Sequence, residues 1–217
     1  MTAAVLLCLT GGPVVRAEPA GGGKRPFIAT CELDRLLLAE LSKQGLKPAP
    51  LCTDGEFLRR TSLDLIGTLP SAETARQFIA DKAPEKRARV VDELLAHERF
   101  NDVWTLKWCD LLRVKAEYPI NLWPNGVQAY RRWIFEAIKA NRPLDAFVRD
   151  LLTSSGSNFR VAPVNFYRAV QDRSPRGLAK AVALTFMGSR YERWPKSKQE
   201  GMAAFFSRVA YKLSLIH

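Results

Sequence analysis

The stretch Phe100–Ala140 constrains the chain most, because four of its five tryptophans fall there, on two runs of helical period separated by a proline-broken turn. Trp104, Trp108, Leu111 and Leu112 recur at i, i+4, i+7 and i+8, a spacing that puts side chains on one stripe of an α-helix. Val127, Tyr130, Ile134, Ala137 and Ile138 repeat the pattern. Between the runs, Tyr118-Pro119 and Asn121-Leu122-Trp123-Pro124 cannot continue a helix, since a proline pushes its predecessor out of the α region. The two runs predict a helical hairpin whose apolar stripes need further helices to cover them.

Those helices are legible on both sides. Glu32–Gln44 carries Leu36, Leu37 and Leu41 on one face and stops at Gly45. Thr53 and Glu56 have the spacing of a capping box, which predicts a helix from Asp54 that stops at Gly67. Ser71 caps a short third helix, and Pro84 at a first helical position opens a fourth that runs through His97. Beyond the hairpin, Pro143–Leu152 predicts a helix, followed by the polar loop Thr153–Asn158 and an irregular apolar stretch around Pro163. Ser174-Pro175 starts a helix ending at Gly188, and Pro195 starts a last one containing Ala203, Phe205, Phe206 and Val209. No alternating strand pattern of useful length occurs. The expectation is an all-α fold: a single compact multi-helix bundle of about eight or nine helices around the Trp-rich hairpin.

Length and composition set the frame. With 217 residues, 47% of them hydrophobic, the chain can bury one good core. Residues 1–17 read as a signal peptide: an apolar run from Ala3 to Val15 is too short to span a bilayer and ends in Val15-Arg16-Ala17. Residues 18–30 read as a flexible linker, 31–212 as the helical domain and 213–217 as a tail. Export places the mature chain in the periplasm or outside the cell, without a membrane span. The formal charge of +11 favours acidic partners, and export turns that preference away from nucleic acid and towards anionic glycans. Three cysteines follow the leader. Cys31 and Cys52 flank the first helix and are a candidate disulfide under oxidising conditions, whereas Cys109 sits inside the Trp-rich helix as a small hydrophobe. With His97 and His217 the only histidines, a multi-histidine metal site is excluded, and no cysteine spacing suits structural zinc or a haem attachment.

The run DGEFLRRTSLDLIGTLPSAETARQFIADKAPEKRARVVDELLAHERFNDVWTLKWCDLLR, followed by NLWPNGVQAYRRWI, LLTSSGSNFRVAPVNFYRAV and ALTFMGSRYERWP, resembles the family called domain of unknown function 1549. That family is typical of secreted planctomycete-type proteins. The resemblance covers about Cys31 to Tyr211, and Arg59-Arg60, Leu63-Asp64, Gly67 and Leu69-Pro70 carry it most specifically. It implies a setting more than a reaction: relatives are commonly fused to a c-type cytochrome module ahead and to domain of unknown function 1553 behind. Many carry Cys-x-x-Cys-His after the Leu-x-Phe-Met-Gly stretch. This chain has Ser189-Arg190-Tyr191-Glu192-Arg193-Trp194-Pro195 there, so no haem or other cofactor is expected. Similar proteins continue past the equivalent of Lys212, which suggests that the tail is truncated.

No residue set amounts to a catalytic signature. Glu56, Asp64, Asp92, Asp102, Asp110, Glu117 and Asp145 mostly stand three or four residues from Lys or Arg, the spacing of surface ion pairs. Ser154, Ser155 and Ser157 have no nearby base in sequence. Ligand contact is more plausible where flat aromatic faces and polar groups stand outside the stripes. Trp123 lies in a Pro-bounded turn, Arg131 and Arg132 adjoin Trp133, Ser155, Ser157 and Asn158 belong to the most polar loop, and Tyr167 precedes Arg168. The expectation is a non-catalytic binding or assembly module that works with a cytochrome-bearing or glycan-processing partner. The alternative is a hydrolase or lyase of acidic or sulfated polysaccharide that holds its substrate through Arg131 or Arg168.

Overall fold

The computed structural model of the chain describes residue 29 and residues 31–211, so the expected leader, most of the linker and the tail lie outside the described residues. Among these the fold is all-α, with ten helices and no strand. They are α1 (Glu32–Lys43), α2 (Asp54–Ile66), α3 (Ala72–Ala80), α4 (Lys86–Leu95), α5 (Glu98–Leu111), α6 (Pro124–Lys139), α7 (Leu144–Thr153), α8 (Asn165–Ala169), α9 (Pro175–Met187) and α10 (Lys196–Ala204). No described helix is long and apolar enough to cross a membrane.

The chain divides into two units, one made of residues up to Thr61 together with Pro70–Arg87, the other of Ser62–Leu69 and everything from Ala88. In the first, the Thr53–Glu56 capping box forms as the spacing predicts, Glu56 Oε2 accepting from the Thr53 amide at 2.9 Å while Thr53 Oγ1 accepts from the Glu56 amide at 3.2 Å. Phe57 and Phe78 stack at 6.3 Å. Beside them lies a charged clamp. The Lys86 ammonium, an almost buried cation with three protons to place, donates to the carbonyls of Phe78 (3.1 Å) and Asp81 (2.8 Å) and pairs with Asp54 at 2.5 Å. Arg87 adds Nε and Nη2 to the other Asp54 oxygen at 3.0 and 2.7 Å, and reaches the Cys52 carbonyl at 2.9 Å. Hydrogen bonds from Lys86, then from Arg87, hold the Asp54 carboxyl below its usual range.

In the second unit α5 and α6 pair as the predicted hairpin, and α6 also packs against α8 and the 3-10 turn Ala162–Val164. The buried face of α6 is Gly126, Tyr130, Ile134 and Ala137, close to the predicted stripe. On α5 the outcome differs. Its fully turned-in residues are Thr105 and Cys109, with Leu112 just past its end, while Leu111 is 53% exposed and the two indoles lie on the flank. Small side chains on the inner line let α6 approach closely, and the larger Trp104 and Trp108 pack at the side.

Other boundaries shift for local reasons. His97 does not continue α4. It caps α5, its Nδ1 accepting from the Arg99 amide at 3.1 Å. Pro84 starts a turn, and the helix begins two residues later at Lys86. The stretch expected to be irregular contains α8, and α10 ends before Phe205, Phe206 and Val209. Ser71 and Ser174 cap α3 and α9 as expected, and Gly188 ends α9 in the left-handed region at φ 58°.

Two measurements check this architecture. Ile134→Ala, at a site with no exposed surface, is expected to cost roughly 2–5 kcal/mol in chemical denaturation, whereas Leu111→Ala should cost less than about 0.5 kcal/mol. The second concerns acid. Because the folded-state pKa of Asp54 is depressed, the clamp adds stability that is present above the unfolded value of about 3.9 and is lost as pH falls through the folded value. Asp54→Asn should therefore cost more stability at about pH 7 than at about pH 3, so that the acid arm of the stability curve flattens.

Candidate functional site

The start of α6 brings several of the sequence-derived candidates together. Trp123 is its N-cap residue and Pro124 occupies the first helical position, where a missing amide proton costs nothing. Having no acceptor oxygen to spend on capping, the Trp123 side chain turns outward and is 68% exposed. One turn in, Gly126 is buried because two asparagine side chains press on it. A Cβ there would stand 3.1 Å from Asn158 Nδ2 and 3.3 Å from Asn165 Oδ1. Glycine is thus the residue that lets the polar loop dock on the helix.

Asn165, at the start of α8, locks the loop from within. Its Nδ2 donates to the carbonyls of Asn158 (2.9 Å) and Ala162 (3.0 Å), and the residue has no exposed surface. The loop tightens on itself too, the Val161 amide donating to the Ser157 carbonyl at 2.7 Å and the Phe159 amide to Ser157 Oγ at 3.4 Å. Ser155 and Ser157 remain exposed on this anchored segment, while Asn158 is buried and serves the anchor.

The other candidates have different surroundings. Arg131 and Arg132 are exposed on α6, and Arg131 Nη2 lies 3.8 Å from Asp102 Oδ1, a loose pair. Tyr167 is buried. Its hydroxyl donates to the Leu152 carbonyl at 2.8 Å, its own carbonyl accepts from the Tyr211 hydroxyl at 2.9 Å, and burial, reinforced by Tyr211, pushes its phenol up to about 12. It is a neutral strut between α7 and the end of the described chain. Arg168 is half-buried next to it.

The Cys31–Cys52 bridge is not formed in the structure. Cys31 is exposed at the head of α1, where its amide donates to Asp34 Oδ2 at 3.2 Å, and Cys52 is half-buried with its carbonyl held by Arg87. Cys109 is buried, and desolvation raises its thiol pKa. Among the described residues, Asp54, Glu56, Asp172 and Glu192 have their acidity shifted downward, in each case chiefly by hydrogen bonds to the ionised form. Glu192 owes its shift mainly to Lys180.

Sequence reasoning missed Gly126 and Asn165. The signal available was Pro-Asn-Gly immediately after Trp123, whose glycine opens the first helical turn to a neighbour. Asn165→Ala removes two hydrogen bonds to buried carbonyls and is expected to destabilise the protein by about 1–3 kcal/mol. Amide exchange should speed up selectively at Arg160 and Val161, which hydrogen-exchange mass spectrometry would read.

The comparisons with known proteins agree with this architecture's expected family. The model of PSCyt2, protein of unknown function (DUF1549), matches residues 32–211, and the chain belongs to that family. No curated protein and no solved structure matches it.

Proposed function

We propose that this DUF1549 domain is a non-catalytic binding module that acts in the periplasm or outside the cell, and that its ligand is an anionic glycan held at the start of α6. The observation that carries this reading is Trp123, a 68% exposed indole at the head of the helix on whose Gly126 the Asn165-anchored loop is docked. A flat apolar face suits a pyranose ring, and a fixed neighbour with exposed Ser155 and Ser157 supplies hydrogen-bonding partners at low ordering cost. Several features of the chain favour acidic sugars: the positive dipole end of a helix, the exposed Arg131 and Arg132, and a formal charge of +11.

Binding is favoured over catalysis by the carboxylates. A general acid for glycosidic cleavage needs a raised pKa, and the displaced carboxyls here are held ionised. In this reading the chain holds no haem itself, and any redox or cleavage chemistry comes from a cytochrome-bearing or glycan-processing partner.

The test is a titration of the protein with sulfated, uronic and neutral oligosaccharides at two salt concentrations, with the same mixtures assayed for new reducing ends. Acidic oligosaccharides should bind without product formation, and more weakly in salt, because exposed charges are screened over about 10 Å at 0.1 M. Trp123→Ala should weaken binding roughly tenfold, about 1.4 kcal/mol, with helicity unchanged. New reducing ends abolished by one carboxylate substitution would replace this reading with an enzyme.

A further inference from the structure

At the other end of α6 the chain builds a cavity of about 200 Å³. Its walls are aromatic: Phe100, Trp104 and Trp108 from α5 and Phe147 from α7. These rings are fixed by one another. Trp108 meets Phe147 edge-on at 5.2 Å, Trp133 stacks behind Phe147 at 4.8 Å, and Phe100 leans on Trp104 at 5.8 Å.

The polar part of the lining comes from the way α6 ends. Asn141 takes the left-handed conformation at φ 46°, the Asn141 amide donates to the Ile138 carbonyl, and the Arg142 amide donates to the Ala137 carbonyl, both at 2.9 Å. This closure places Asn141 and Arg142 in the lining of the cavity. Arg142 Nη2 is paired with Asp150 Oδ2 at 2.6 Å, and the guanidinium stands 6.0 Å from the Trp133 ring.

From these features we infer that the cavity is a binding site for a neutral single-ring aromatic compound bearing a carbonyl oxygen, distinct from the Trp123 edge. A cavity of about 150 Å³ admits benzene, so this one has room for a ring with a short substituent. Four aromatic walls suit a flat apolar ring. Apart from the indole N–H groups of Trp104 and Trp108, the lining's polar side chains are Asn141 and Arg142, too few to partner all the hydroxyls of a sugar. Asp150 occupies only part of the five-donor guanidinium of Arg142, which leaves donors for an oxygen of the ligand. The same pairing balances the charge of Arg142, so a neutral carbonyl gains a hydrogen bond there, whereas a carboxylate must approach Asp150 as well.

The experiment follows the indole N–H signals of Trp104 and Trp108 by NMR in the full chain during titration with benzamide, benzoate, methyl glucoside and N-acetylphenylalanine amide. Benzamide should shift both signals saturably, with a Kd on the order of 1 mM, as so few atoms allow, and should bind more tightly than benzoate. Leu144→Trp enlarges a partly exposed lining residue and should abolish the shifts. Arg142→Gln should weaken binding several-fold, and Trp123→Ala should leave it unchanged, which separates this site from the glycan edge. Methyl glucoside matching benzamide, benzoate binding more tightly, or shifts persisting in Leu144→Trp would overturn the assignment. Tenfold tighter binding of N-acetylphenylalanine amide would also overturn it, by making a partner protein's aromatic side chain the occupant.

Discussion

The second unit depends on how closely its neighbours can approach α6. Along the buried face of that helix, two large residues, Tyr130 and Ile134, stand between two small ones, Gly126 and Ala137. Tyr130 and Ile134 have no exposed surface, so each fills a space that α5 and the segment around α8 must leave for it. Gly126 and Ala137 stand towards the two ends of this face. At the first the asparagine-anchored loop docks, and at the second the aromatic cavity begins. Interiors at crystalline packing density tolerate no spare methylene at a point such as Gly126, so the seat of the anchored loop follows from residue size on this helix.

How much of this was legible in the sequence depended on whether the deciding interaction is local. Thr53 with Glu56, Ser71, Ser174 and Gly188 act within one turn of their own backbone, and each stops or starts a helix where the sequence says it should. The orientation of α5 was not legible, because it is decided by what lies opposite. Large indoles at i and i+4 look like a core stripe, yet a hairpin partner carrying Tyr130 is accommodated by Thr105 and Cys109, which are small enough to face it. His97 belongs to the same class of error. Periodicity alone extends α4 through it, but its ring nitrogen accepts a backbone proton and so opens α5.

The site residues divide in the same way. Trp123 was legible as an outward-facing aromatic because a proline follows it and no apolar stripe includes it. Asn158 and Tyr167 looked like ligand contacts because they are polar or amphipathic residues in or near a polar loop. In the structure both are buried: the Asn158 carbonyl accepts from the Asn165 side-chain amide, and the Tyr167 hydroxyl donates to the Leu152 carbonyl. A loop that packs against a helix must satisfy its carbonyls from side chains, and a single sequence does not say which polar residue will be used for that and which will face solvent.

The two surfaces lie at opposite ends of a 16-residue helix, about 24 Å apart along its axis, so no small ligand bridges them. Their chemistry differs in the sense that the helix itself imposes. The first turn of α6 carries the positive end of the macrodipole, which favours an anion near Trp123. The last turn presents carbonyls and the negative end. There Lys139 and Arg142 are the favourable residues, and the Arg142–Asp150 pair balances its own charge. An acidic sugar is therefore better placed at the first end and an uncharged ring at the second. One helix can present two unlike ligand surfaces because its backbone dipole and the size of its end residues differ between its ends.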